Sequence, residues 1–203
     1  MIKTSALSPF KLVGPQYPFS TEEPFLSNRK ARAERIFRSI APNANSGGGI
    51  ESKTRIEQLI ENLTDRKDAY GRYYAAEALG EIGPNAKEAI PHLIIALEDE
   101  NVVVKSSTAW ALGKIGPGAK EAIPHLIIAL KDKNYYVRKC AVDALGNIGP
   151  GAKEAVPALI SALKDEIACV RESAGQALGK IGKDAVPELL NALQKALLTK
   201  TGI

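Results

Sequence analysis

The sequence predicts an all-α fold: a right-handed α-solenoid of about four bihelical repeats with a 33-residue period, preceded by an extended N-terminal arm. Three observations carry this expectation. The tripeptide Ala-Leu-Gly recurs at 78, 111, 144 and 177, always 33 residues apart, and four copies at one period mean a repeat array. Whole stretches return almost unchanged, since PNAKEAIPHLIIAL at 84–97 comes back as PGAKEAIPHLIIAL at 117–130. Each copy also holds two segments with apolar residues at helical spacing, joined by Gly and Pro, which is how a helical hairpin reads.

Composition bounds the rest. With 45% hydrophobic and 25% charged residues in 203, the chain has the makings of a soluble globular core. Pro, His and charges interrupt every apolar run before the ~18 residues of a membrane span, so membrane insertion is not expected. The first twenty residues lack the apolar core of a secretory signal, although their freedom from acids faintly resembles a transit peptide. The expected home is the cytoplasm or an organelle interior such as the stroma.

The net charge of +4 is unevenly placed. Residues 1–50 hold seven Lys and Arg against three acids, and the remainder balances at 20 against 20. All four Phe and five of the twelve Pro also lie in that first part. It is therefore a different kind of polymer, an arm, divided from a solenoid over 51–203 by the Gly-rich joint at 47–49. Within the arm, Pro9, Pro15, Pro18 and Pro24 favour extended chain. Ser27 is placed to cap a short helix near 28–40, with Ala33, Ile36, Phe37 and Ile40 on one side.

The solenoid elements follow in order. TRIEQLIENLT at 54–64, with Thr54 and Glu57 as a capping box, is the expected N-terminal cap helix. In each repeat a first helix such as VRKCAVDALGNIG buries the stripe Val137, Ala141, Ala144, Leu145 and Ile148. Gly146 and Gly149 lie toward its end, and Pro150 cannot continue it. The second helix, AVPALISALKD, carries Pro157 near its start and is expected to bury Leu159, Ala162 and Leu163. Small columns at 75, 108, 141, 174 and at 78, 111, 144, 177 allow close helix approach, and each hairpin must stack on the next to bury its stripe. Ala192, Leu193, Ala196 and Leu197 are expected to close the C-terminal end.

The stretch VRKCAVDALGNIGPGAKEAVPALISALKD resembles the HEAT-like repeats of the phycobilisome-lyase type, with their pattern V-R-x-x-A-A-x-A-L-G-x-I-G followed by A-V-P-x-L-I-x-A-L. The resemblance covers residues 68 to about 198. Departures occur at the ends: Gly71 replaces the leading Val, and the fourth copy, IGKDAVPELL, drops three residues. End repeats cap a stack and are atypical for that reason. The family includes bilin lyases and relatives that attach or detach tetrapyrrole pigments on antenna proteins, and also plain scaffolds, so the resemblance implies a fold more sharply than an activity.

Chemistry is sparse. His92 and His125 share one column, and helix neighbours ~8–10 Å apart are too distant for both imidazoles to hold one metal. Cys140 and Cys169 are offset by about 6 Å along and 9 Å across adjacent helices, beyond disulfide reach, so two free thiols are expected. The acids recur one per copy, the habit of solvated loop and cap residues. The motif IGPGAK has no preceding strand and no Ser or Thr after Lys153, so it is not a phosphate loop. No catalytic residue, metal site or cofactor is assigned, and an enzyme is not expected.

Binding is the remaining expectation, where exposed positions of the copies disagree. On the first helices Trp110 stands in a column with Glu77, Asp143 and Gln176, near Tyr73 of the preceding copy, as an exposed anchor. On the second helices His92 with Ile95, then His125 with Ile128, form an apolar step that later copies lack. Asp recurs along that face, which disfavours nucleic acid. In the arm, Phe10, Tyr17, Phe19, Phe25 and Phe37 are spaced like anchors among Arg29, Arg32, Arg35 and Arg38, a chemistry suited to an acidic protein partner. Together with the lyase-type repeats this resembles linker polypeptides that penetrate phycobiliprotein rings. The expected function is a non-enzymatic scaffold, a phycobilisome linker or assembly factor at the thylakoid surface through its partner. The alternatives are a bilin lyase-like enzyme or, less favoured, a nucleic-acid binder using the arm.

Overall fold

The computed structural model describes residues 50–201. The arm with its anchors, the helix expected near 28–40 and the Gly-rich joint lie outside the described residues. A cap helix, α1 (Ile50–Thr64), leads into four hairpins. These are α2 (Ala69–Ile82) with α3 (Ile90–Ala96), α4 (Val102–Ile115) with α5 (Ile123–Ala129), α6 (Tyr135–Ile148) with α7 (Val156–Ala162), and α8 (Ala168–Ile181) with α9 (Val186–Thr201).

The local reasons for these elements repeat with the period. Asn101 and Asn134 cap α4 and α6, each accepting a backbone N–H of the first turn at 2.9 Å, from Val103 and Tyr136 respectively. Each first helix stops at a glycine with positive φ, from +64° at Gly83 to +77° at Gly182, a conformation that costs a residue with a Cβ. That glycine donates its N–H back to a leucine carbonyl of the helix, Leu79, Leu112, Leu145 or Leu178. A 3₁₀ turn follows, and Pro91, Pro124 and Pro157 sit in the first turn of the second helices, where a missing N–H is harmless.

Three expectations need correction. Helix α1 begins at Ile50, so Thr54 lies inside it and the expected capping box is not its start. Residues 50–53 contain neither Gly nor Pro, and nothing stops the helix before the joint. The inner second helices span seven residues, shorter than AVPALISALKD, and end in tight turns such as Lys164 N–H to Ser161 C=O at 3.0 Å. Leu163 is exposed rather than buried. The residue facing it is Gly175, whose Cβ, were there one, would lie 4.0 Å from Leu163 Cδ2; the corresponding positions in the other copies are Ala76, Ala109 and Val142.

Successive first helices pack directly on one another. The second helices reach chiefly the first helix of the next repeat. Close approach on the first-helix side is set by glycine: a Cβ at Gly113 would lie 2.8 Å from Ala144 Cα, and one at Gly146 would lie 2.9 Å from Ala177 Cα. This side of the stack is therefore the shorter one. Between the two layers run fully buried rows, including Leu112 and Leu145, Leu126 and Leu159, and Ile115, Ile148 and Ile181. A core shared by every pair of neighbours is what makes the array cooperative.

A ladder of ion pairs crosses the repeats. The Arg72 guanidinium grips Asp99 with Nε to Oδ2 at 2.6 Å and Nη2 to Oδ1 at 3.1 Å. Arg138 grips Asp165 at 2.7 and 2.9 Å, and Lys105 pairs with Asp132 at the equivalent place. The aspartates also accept the backbone N–H two residues on, so each ties a turn to a helix. These acids are not the solvated loop residues the sequence suggested. Among the described residues, no helix is long and apolar enough to cross a membrane.

Candidate protein-binding surface

One face of the first helices carries a strip partly open to solvent: Tyr73, Tyr74, Glu77, Trp110, Lys139 and Asp143 are half-buried, Glu172 and Gln176 exposed, and Ser106, Ser107, Cys140 and Ser173 buried within it. Down the strip the copies read Tyr73, Ser106, Lys139, Glu172; then Tyr74, Ser107, Cys140, Ser173; then Glu77, Trp110, Asp143, Gln176. Its first half is aromatic. Tyr73 and Tyr74 lie 4.8 Å apart between ring centroids, tilted at 59°. Trp110 is half-buried rather than the exposed anchor expected: its ring fills the space over Gly80, where a Cβ would meet Cζ3 at 2.3 Å. Lys114 Nζ stands 5.4 Å from the ring centroid, within cation–π range. One edge of the indole is thus structural and the rest remains available.

Glu77 lies on the same strip, half-buried. Burial pushes its carboxyl up to about 7, and the negative charge of Glu81 adds to the effect. Burial likewise raises Tyr74, with Tyr70 and Glu77 contributing. Tyr70, Tyr74 and Glu77 were not singled out as binding residues from sequence. The available signal was their helical phase, one turn or less from Tyr73.

The outer face of the second helices is more uniform. Ile95 and Ile128 do point outward, 69% and 65% exposed. His92 and His125 are half-buried beside them. His125 and Ile128 line an open cleft of about 330 Å³ together with Leu97, Glu98, Lys105 and Asp132, and Lys105 and Asp132 are already committed to each other. No group of three or more His, Cys, Asp or Glu side chains among the described residues is placed to hold a metal ion.

Both cysteines are free thiols, Cys140 buried and Cys169 half-buried. Burial pushes Cys140 up to about 12, with Lys139 opposing and Asp143 adding. Only the thiolate attacks, so titration with an aromatic disulfide at neutral pH is expected to modify Cys169 quickly and Cys140 only as the chain unfolds. Two thiols reacting at one rate in the folded protein is the contrary result.

The sequence profile of HEAT repeats matches residues 56–133 and 123–202. No curated protein matches the chain. Among solved structures, an engineered protein is similar with a TM-score of 0.64 and 24% identity over 86% of this chain and 82% of its own. The complex of CpcE and CpcF of phycocyanin lyase from Nostoc sp. PCC7120 is similar with a TM-score of 0.62 and 21% identity, over 90% of this chain and 72% of that one. A designed armadillo repeat protein in complex with the peptide (KR)4 is similar with a TM-score of 0.59 and 20% identity, over 83% and 87%. At these identities the likeness concerns the fold alone. The profile match spans well over half the sequence, and the chain belongs to the HEAT-repeat family.

Proposed function

We propose that the protein is a non-enzymatic protein-binding scaffold that receives a partner segment along the solvent strip of its first helices. One observation carries the reading. The four copies agree at close helix contacts such as Ala78, Ala111, Ala144 and Ala177, and disagree at every position of this strip. Its aromatic half suits hot-spot contacts. The Glu77 carboxyl, pushed up to about 7 by burial and by the neighbouring Glu81, suits a basic side chain of the partner stacked on Tyr74.

The finer assignment is a linker or assembly factor of a light-harvesting antenna. It is supported by the fold likeness to the CpcE–CpcF complex and by the basic, aromatic arm from Phe10 to Arg38, which suits acidic phycobiliproteins. The solenoid docks one component and the arm enters another, raising their effective concentration. Its place is the cytoplasm or stroma, at the thylakoid surface through that partner.

The test is affinity isolation from the native source with full-length chain and with residues 51–203. Loss of acidic pigment-proteins with the arm is the expected result. Tyr74→Ala and Glu77→Gln are expected to weaken capture by the solenoid, and Ile95→Ser with Ile128→Ser to leave it unchanged. The reverse pattern moves the site to the second helices. Trp110, the only tryptophan, reports docking by fluorescence. Since ionised Glu77 attracts the ligand's cation, affinity is expected to rise as pH passes upward through about 7 and to be level across that range in Glu77→Gln. Pigment co-purifying with the solenoid alone replaces this reading with the bilin-lyase one.

A further inference from the structure

Among the described residues, the surface that each inner repeat covers is left open at the C-terminal end. Ile90, Ile123 and Val156 open the inner second helices and are 5%, 2% and 0% exposed, because the next first helix packs on those helices. Val186 holds the same place in α9 and is 48% exposed. Leu190, Leu193 and Leu197 on the same face are 60%, 61% and 58% exposed. On α8 the same contrast appears: Gly80, Gly113 and Gly146 each abut an alanine of the following helix, whereas a Cβ at Gly179 would meet nothing within 4 Å. Contiguous exposed apolar faces of this kind mark association surfaces.

We propose that this face binds a second copy of the chain, α9 against α9, as an antiparallel two-fold pair. The alternating four- and three-residue spacing of 186, 190, 193 and 197 is that of a helix–helix seam, and it reads the same in either direction. About a midpoint between Asn191 and Ala192, Val186 falls opposite Leu197 of the second copy and Leu190 opposite its Leu193. Glu188 falls level with Lys195 of the second copy. An isologous contact requires such self-complementarity. Head-to-tail stacking is disfavoured by the other end, where α1 buries its own Ile56, Leu59 and Leu63 and turns Glu57, Gln58 and Glu61 to solvent.

The experiment is sedimentation of the full chain across the micromolar range, with helical content and melting followed in parallel. The mass is expected to rise from 21.7 kDa toward twice that value. Because residues 190 and 193 are solvent-exposed in the single chain, L190E and L193K keep the fold and each weakens association by about tenfold or more. Mixing L190E with L193K is expected to restore the dimer, since the two new side chains face each other across the antiparallel seam. If either charged variant melts early, Leu193→Ser gives the same reading. A chain that stays monomeric throughout, a dimer indifferent to these changes, or a mixture that fails to reassociate overturns the proposal.

Discussion

Gly113→Ala is expected to lower the unfolding free energy by about 2 kcal/mol, while the same substitution at Gly179 raises it by about 0.5–1 kcal/mol. Both glycines occupy the same place in a first helix, and in both the alanine brings the same gain in helix propensity. The difference is what lies outside. At Gly113 the new methyl would lie 2.8 Å from Ala144 Cα and 3.2 Å from its Cβ, and helix backbone cannot move aside as a flexible side-chain tip can. Seating it forces α4 from α6 and loosens rows packed on both sides, an overpacking cost that exceeds the propensity gain. At Gly179 nothing among the described residues lies within 4 Å of the added methyl, so the gain stands alone. Urea unfolding in dilute solution, where the chain is single, measures both. Equal signs for the two substitutions would mean that first-helix spacing is not set by glycine contact.

The period was legible because every inner repeat meets the same neighbours, so the same contact demands the same residue: Gly against Ala, Leu against Leu. Hairpins, joints between helices and the Pro-led second helices follow from this. Boundaries were less legible. The start of α1 at Ile50 and the early end of α7 at Ala162 depend on what tertiary contacts allow at a helix end, and residue pattern fixes that weakly.

Two features escaped the sequence because they join residues far apart in it. Asp99, Asp132 and Asp165 look like loop acids when each turn is read alone. Their partners Arg72, Lys105 and Arg138 lie 27 residues earlier in all three cases, and that constant offset between a basic and an acidic column was the signal. Trp110 looks exposed among polar column-mates, but the slot that receives it comes from Gly80 in the preceding repeat. Of the strip proposed for binding, Tyr73 and Trp110 stood out in the column pattern, while Tyr70, Tyr74 and Glu77 were marked in the sequence by helical phase alone.

Arg138→Ala is expected to cost about 2–3 kcal/mol of unfolding free energy. Its guanidinium donates to Asp165 through Nε and Nη2, and Nη1 donates to the carbonyls of Asp132 and Lys133 at 3.0 and 3.2 Å, so one side chain fastens two inter-repeat turns. Removing it leaves Asp165 covered and charged, and several acceptors unpaired. The pair lies near the edge of the stack, where water partly screens it, which keeps the cost below the ~3–5 kcal/mol of a deeply buried pair. Arg138→Lys is expected to recover much of the loss, since Lys105 serves Asp132 in the same position. The pH dependence separates this from a packing defect. Arg138, then the Ile167 N–H against the opposing effect of burial, holds the Asp165 carboxyl below its usual range. Burial opposes a low value at Asp132, but Lys105 and the Asn134 N–H still hold it down. A carboxyl depressed in the folded state adds stability that is present above its unfolded value, ~3.9, and is lost as pH falls through the folded one. The native chain is therefore expected to lose stability below about pH 4, and Arg138→Ala to show a shallower acid slope because Asp165 has returned toward its ordinary value. A parallel slope with the same offset at every pH would assign the loss to packing and leave the ion pair without energetic weight.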